Sequence, residues 1–232
     1  TKETMTYGDF AKAVAYYHLL FEQLGIKPGD KIALMGKNTT TWVTVFMSTI
    51  TYGAVIVPVL QEFNPRDAQH IINHSDADLL FVSNNLWETF EFEKMPKLKA
   101  AFSLEGKSVL AERDVDDAPS DVVAKIYENI PSLFNAKYGE EFEPKHVVYP
   151  QLSPDSLAVI NYTSGTTGFS KGVMLTLNNL CGNVTYGIQS RLHYSGSKCL
   201  SFLPLAHAYG CAFDLLTPLA VGSHITLFGR LP

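Results

Sequence analysis

The chain is poor in cysteine, in charge and in long unbroken apolar runs, and each shortage excludes something. Its three cysteines, Cys181, Cys199 and Cys211, are odd in number and lack metal-ligand spacing. That argues against a disulfide scaffold or a cysteine metal cluster, and a reduced, cytoplasmic setting is expected. Charged residues make up 18% of the 232, and the formal net charge is −5. A nucleic-acid surface needs a basic excess, so no nucleic-acid partner is expected. The longest apolar stretch, residues 43–60, is broken by Ser48, Thr49, Thr51, Gly53 and Pro58. It reads as a buried helix followed by a strand rather than as a transmembrane segment, which leaves peripheral membrane contact as the only membrane association to consider. No signal-peptide pattern opens the sequence. Carboxylates are scarcest in residues 151–232, which hold four basic residues and two acids, a net +2 against −7 for residues 1–150. A polyphosphate site needs such a carboxylate-poor stretch, because a nearby carboxylate repels the ligand unless a metal bridges them.

Within that stretch, residues 162–172 read Y-T-S-G-T-T-G-F-S-K-G. Four hydroxyl residues (Thr163, Ser164, Thr166, Thr167) and two glycines three apart (Gly165, Gly168) precede one lysine, Lys171. The apolar runs on either side, residues 157–160 and 172–175, both read as buried strands. A glycine- and hydroxyl-rich loop between strands can aim backbone N–H groups at a polyanion, and a lysine adds a point charge suited to phosphate. A Walker A loop does not fit. The spacing is G-x-x-G-x-x-K, Lys171 is followed by Gly172, and a β-like run rather than a helix comes next. The competing reading is a flexible surface loop. A second segment, S-F-L-P-L-A-H-A-Y-G at residues 201–210, follows a short apolar strand and carries His207. Taken alone, a histidine in an apolar context is more often a buried structural residue than a catalyst.

Helix and strand signals alternate along the first eighty residues. Phe10, Val14, Tyr17, Phe21 and Leu24 fall on one helical face, with Thr6 placed to cap the start and Gly25 to end it. Lys31 to Met35 reads as a strand. A helix carrying Trp42, Phe46 and Ile50 stops at Gly53, and β-branched residues 55–59 form the next strand. Asn64 and Pro65 suit the start of a third helix, and residues 79–82 another strand. This alternation predicts an α/β fold with a mainly parallel sheet, in which ligands sit beyond the carboxyl ends of strands. Residues 105–143 differ, with ten acids, four bases, Pro119 and Pro131. They read as a solvated acidic insertion with one docked amphipathic helix around residues 122–130.

The 160–172 segment resembles the phosphate-binding signature of the adenylate-forming enzymes, which include acyl-CoA synthetases, luciferases and peptide-synthetase adenylation domains. Residues 203–210 are similar to the family's L-P-L-x-H-x-x-G segment, and residues 42–82 to its N-terminal helix–strand–helix–strand passage. Ser170 departs from the usual proline. The resemblance implies the family's layered α/β large domain, incomplete at its C-terminus: a first unit at 1–104, the acidic connection at 105–150, and the phosphate-loop and early acyl-site region at 151–232. No adenine- or ribose-binding segment and no C-terminal lid domain are found. It further implies an N-terminal part of a long-chain fatty acid–CoA ligase, with ATP, Mg²⁺ and coenzyme A as partners. Lys171 and the amides of Ser164, Gly165, Thr166, Thr167 and Gly168 would hold phosphates. Thr163 would help place Mg²⁺, His207 would border the acyl carboxylate, and Cys211, Ala212 and Phe213 would begin the acyl-pocket wall. A ligase acting on another carboxylate, a phosphoanhydride hydrolase and a non-catalytic nucleotide-binding module are the rival readings. Oligomeric state is not legible.

Overall fold

The computed structural model describes residues 4–113, 120–139, 141–163 and 171–228. Helix α1 (Tyr7–Gln23) starts at a reciprocal cap: the Thr6 hydroxyl accepts from the Asp9 N–H, and the Asp9 carboxylate accepts from the Thr6 N–H. Gly25, at φ +67°, turns the chain out of it. Strand β1 (Lys31–Met35) follows, then α2 (Thr40–Tyr52), capped by Thr39 and ended by Gly53 at φ +93°. Next come β2 (Val55–Val59), α3 (Pro65–His74) capped by Asn64, and β3 (Ala77–Val82). A single turn α4 (Asn84–Trp87) precedes β4 (Ala100–Ser103) and β5 (Val109–Glu112). Helix α5 (Val122–Tyr138) docks through buried Ile130 and Phe134 and carries Pro131 without ending there. The remaining elements are β6 (Leu157–Thr163), β7 (Lys171–Thr176), α6 (Leu177–Gln189), β8 (Lys198–Ser201), wide π-helical turns over Gly210–Leu216, α7 (Thr217–Val221) and β9 (His224–Leu227).

Seven strands form one sheet in the order β5-β4-β3-β1-β2-β6-β7. The five inner strands are parallel, and β5 and β7 run antiparallel at the two edges. The side-chain period of two sends alternate residues into two separate cores. Ile32, Leu34, Ile56, Phe81 and Phe102 pack under α1, α2 and α5; Ala33, Met35, Val57, Leu80 and Val82 pack under α3. Both faces of the central strands are therefore covered, as parallel sheets require. The run after Lys171 departs from its sequence reading. It is an exposed edge rather than a buried strand, with Val173 at 44% and Met174 at 69% exposure. Its antiparallel direction follows from a direct return after β6, whereas a parallel neighbour needs a crossover. Strands β8 and β9 pair in parallel as a separate two-stranded sheet.

Candidate functional site

The carboxyl ends of β2 and β6 lie side by side, because β2 pairs with β6 through Ile56 and Val159. Beyond those ends lies a cavity of about 440 Å³. Leu60 and Phe63 from the turn after β2, Thr163 from the end of β6, Val173 and Leu175 from β7, and His207 line it. Position beyond parallel strand ends is where open α/β sheets take ligands.

Of the sequence-derived site residues, Thr163, Lys171 and His207 fall within the described residues. Thr163 is the last residue of β6, Lys171 the first of β7, and the two are direct cross-strand partners. Residues paired in this way present their side chains on the same face. Both are exposed. Ser164, Gly165, Thr166, Thr167 and Gly168 lie outside the described residues. His207 lies in the segment between β8 and the π-helical turns and is exposed at the cavity, so it is no core histidine. Its Nδ1 accepts from the Tyr209 N–H at 3.3 Å, which leaves the proton of the neutral ring on Nε2. Cys211 and Ala212 are buried one turn further on and line a smaller recess behind Asn161. Burial pushes the Cys211 thiol up to about 12, so it is a packing residue and not a nucleophile.

Several contributors were not legible. Tyr162, the last residue but one of β6, is buried, and its hydroxyl meets His74 Nδ1 on α3 at 2.7 Å. Burial raises its pKa, and the Asp76 charge adds to the shift. Gly172 faces Tyr162 across the ladder. A Cβ at 172 would come within 3.0 Å of Ile160 Cγ2 and 3.2 Å of Tyr162 Cζ, so any side chain here has to push those neighbours aside by a few tenths of an ångström. Glu62 also borders the cavity. The carboxylate-poor character of residues 151–232 is thus local to the chain, since the β2 turn brings an acid to the site from elsewhere. The metal-capable donors around the cavity are mostly oxygens, from Glu62, Asn161, Tyr162 and Thr163, together with the His207 ring. Among the described residues no group of three or more His, Cys, Asp or Glu could hold a metal ion. Oxygen donors of this kind favour a hard cation over a soft one.

The model of the AMP-binding enzyme family matches residues 1–232. The chain is 30% identical over 225 residues to 4-coumarate–CoA ligase-like 6 of Arabidopsis thaliana, covering 94% of this chain and 35% of that protein. It is 27% identical over 235 residues to a long-chain-fatty-acid–CoA ligase of Escherichia coli, covering 95% and 41%. Among solved structures, a long-chain-fatty-acid–CoA ligase of Archaeoglobus fulgidus superposes with a TM-score of 0.74 at 20% identity, over 100% of this chain and 41% of that one. ATP-bound MatB from Rhodopseudomonas palustris gives 0.76 at 17% identity, over 99% and 41%. The chain therefore spans about two-fifths or less of the length of these relatives, and the superpositions establish the shared α/β fold.

Proposed function

Because the chain belongs to the AMP-binding enzyme family, we propose that it supplies the phosphate-binding segment and one wall of the acyl site to an ATP-dependent fatty acid–CoA ligase. A fatty acid carboxylate attacks the α-phosphorus of ATP, forming acyl-AMP and releasing pyrophosphate. The coenzyme A thiolate then attacks the acyl carbonyl, and AMP leaves. The first step concentrates negative charge, so catalysis rests on positioning and on donors aimed at that charge. Lys171 and the amides of Ser164 to Gly168 hold the β- and γ-phosphates. Mg²⁺, when bound, would neutralise phosphate charge, and the Thr163 hydroxyl is the group of this chain that would help hold it. His207 presents Nε2–H to the acyl carboxylate.

The observation that carries this reading is the shared cavity. Thr163 and His207 border one largely apolar space, and Lys171 is the ladder partner of Thr163. That juxtaposition supports a reading in which a phosphate-binding element and an apolar acid-binding wall share one site. Aromatic lining by Phe63 and Tyr162 supports a second reading, in which the acid is aromatic. Carboxylate-dependent ATP–pyrophosphate exchange by the complete ligase, run with palmitate and with 4-coumarate, tests both. Exchange with palmitate alone selects the first reading, exchange with 4-coumarate alone the second. No exchange with any carboxylate refutes the ligase assignment.

A further inference from the structure

His207 follows a segment, residues 202–206, that belongs to no helix or strand. Side chains from distant parts of the chain hold its backbone instead. Asn38 Nδ2 donates to the Leu203 carbonyl at 2.8 Å, and Asn38 Oδ1 accepts from the Leu205 N–H at 3.1 Å. Asn161 Nδ2, on β6, donates to the Ala206 carbonyl at 3.1 Å. The Asp214 carboxylate accepts from the Leu203 N–H at 3.3 Å. An amide that donates and accepts at once mimics a neighbouring strand, so the two bonds of Asn38 set orientation as well as position.

Asn38 is itself firmly placed. It lies between the end of β1 and Thr39, whose hydroxyl accepts from the Trp42 N–H and caps α2. The segment before His207 is thereby referenced at one end to β1 and α2, and at the other to β6. Thr163 ends the same β6, and its ladder partner is Lys171. We propose that Asn38 is a positioning residue: its two-bond clip on Leu203 and Leu205 sets His207 at a fixed place relative to Thr163 and Lys171. Asn38 is not among the residues bordering the cavity, and it acts only through the 203–207 backbone.

The inference rests on the ligase reading for its catalytic consequence and on geometry alone for the clip. Two variants separate the bonds. Asn38→Ala removes both. Asn38→Asp keeps the shape and the acceptor for Leu205, removes the donor, and faces the Leu203 carbonyl with a charge. Amide hydrogen exchange on the 232-residue chain reads the clip. The Leu205 amide should exchange at least about tenfold faster in Asn38→Ala and stay protected in Asn38→Asp, while β1 and α2 keep their protection. Adenylation kinetics of the complete ligase read the consequence. In both variants the carboxylate KM should rise, or kcat fall, by about tenfold or more, with the ATP KM unchanged. Unchanged Leu205 protection in Asn38→Ala overturns the clip. A parallel rise in the KM for ATP and for carboxylate overturns the positioning role and indicates general loosening. A wild-type ligase without carboxylate-dependent exchange defeats the ligase reading, and Leu205 exchange then still decides whether Asn38 holds the segment.

Discussion

Gly210 offers a severe test of how tightly the segment before His207 is held. A Cβ at this position would sit 2.5 Å from the Pro204 carbonyl oxygen, 3.1 Å from its carbon and 3.3 Å from Leu203 Cβ. Carbon–oxygen contacts settle at about 3.3 Å or more, so Gly210→Ala demands a displacement of roughly 0.8 Å. The obstacle is backbone, and that backbone cannot drift freely, because Asn38, Asn161 and Asp214 tie it from three sides. Overpacking of this kind costs about 1–3 kcal/mol. For a chain of this size each kcal/mol lowers Tm by about 2–4 °C, giving a fall of about 2–12 °C. The control is Gly182→Ala on exposed α6, where a new Cβ meets nothing within 4 Å. Alanine is favoured there by about 0.8–1 kcal/mol, so Tm should rise by about 2–4 °C. Thermal denaturation of the two variants beside wild type is the assay. The same substitution must move Tm in opposite directions. A Gly210→Ala chain that melts with wild type would refute the close approach and, with it, the rigid placement of His207.

Lys171→Ala in the complete ligase should lower the adenylation rate by a factor corresponding to about 2–4 kcal/mol and leave Tm within about 1–2 °C, because an exposed strand-end lysine adds little to the core; an unchanged pyrophosphate-exchange rate would remove it from the phosphate site. His207→Ala should weaken carboxylate turnover more than ATP binding and spare Tm, given its exposure; a large Tm loss with normal turnover of the folded fraction would return it to a structural role. His18, whose Nε2 contacts the Ser48 carbonyl at 3.1 Å and the Thr51 hydroxyl at 3.0 Å, has its pKa lowered by burial to about 4. The unfolded chain therefore binds a proton at higher pH than the folded one, so the contribution is full above about pH 6.5 and is lost as pH falls towards about 4. It amounts to about 3 kcal/mol. His18→Gln should flatten the stability profile in that window by denaturant titration, and an unchanged slope between pH 6.5 and 4 would contradict the burial argument.

The N-terminal elements were legible because local signals agreed with packing. Thr6, Gly25, Gly53 and Asn64 all sit at helix ends and do the capping or turning their chemistry suits, whereas the Thr39 cap of α2 was not read from the sequence. Strands β4 and β5 escaped notice. Ala100-Ala101-Phe102-Ser103 has no β-branched residue, and its place is set by register with β3, which no local window contains. The direction and exposure of β7 are properties of a sheet edge, again a tertiary fact. At the site, the glycine- and hydroxyl-rich motif and His207 were visible as unusual residue types at telling spacings. Asn38 and Asn161 were not, since an asparagine after a strand reads only as a turn residue until its partner far along the chain is known. Glu62 shows the same limit for charge, which belongs to the folded surface rather than to a stretch of sequence.

Strand β6 reaches its place in the sheet by pairing with β2 at Ile56 and Val159, about a hundred residues apart in the chain. Strands β1, β2, β3 and β4 pair among themselves over far shorter separations. Closing the longer loop adds only about 0.6 kcal/mol per doubling of length, so equilibrium stability hardly registers it, but long-range pairing governs folding rate. On the ribosome the first four strands emerge and can pair before β6 exists. The expected order of assembly therefore runs from scaffold to cavity, with the space between Leu60, Thr163 and His207 closing last. Recovery of ligand binding should trail recovery of tryptophan fluorescence in a refolding experiment, because Trp42 and Trp87 both pack against the early strands and the ligand reports the final docking.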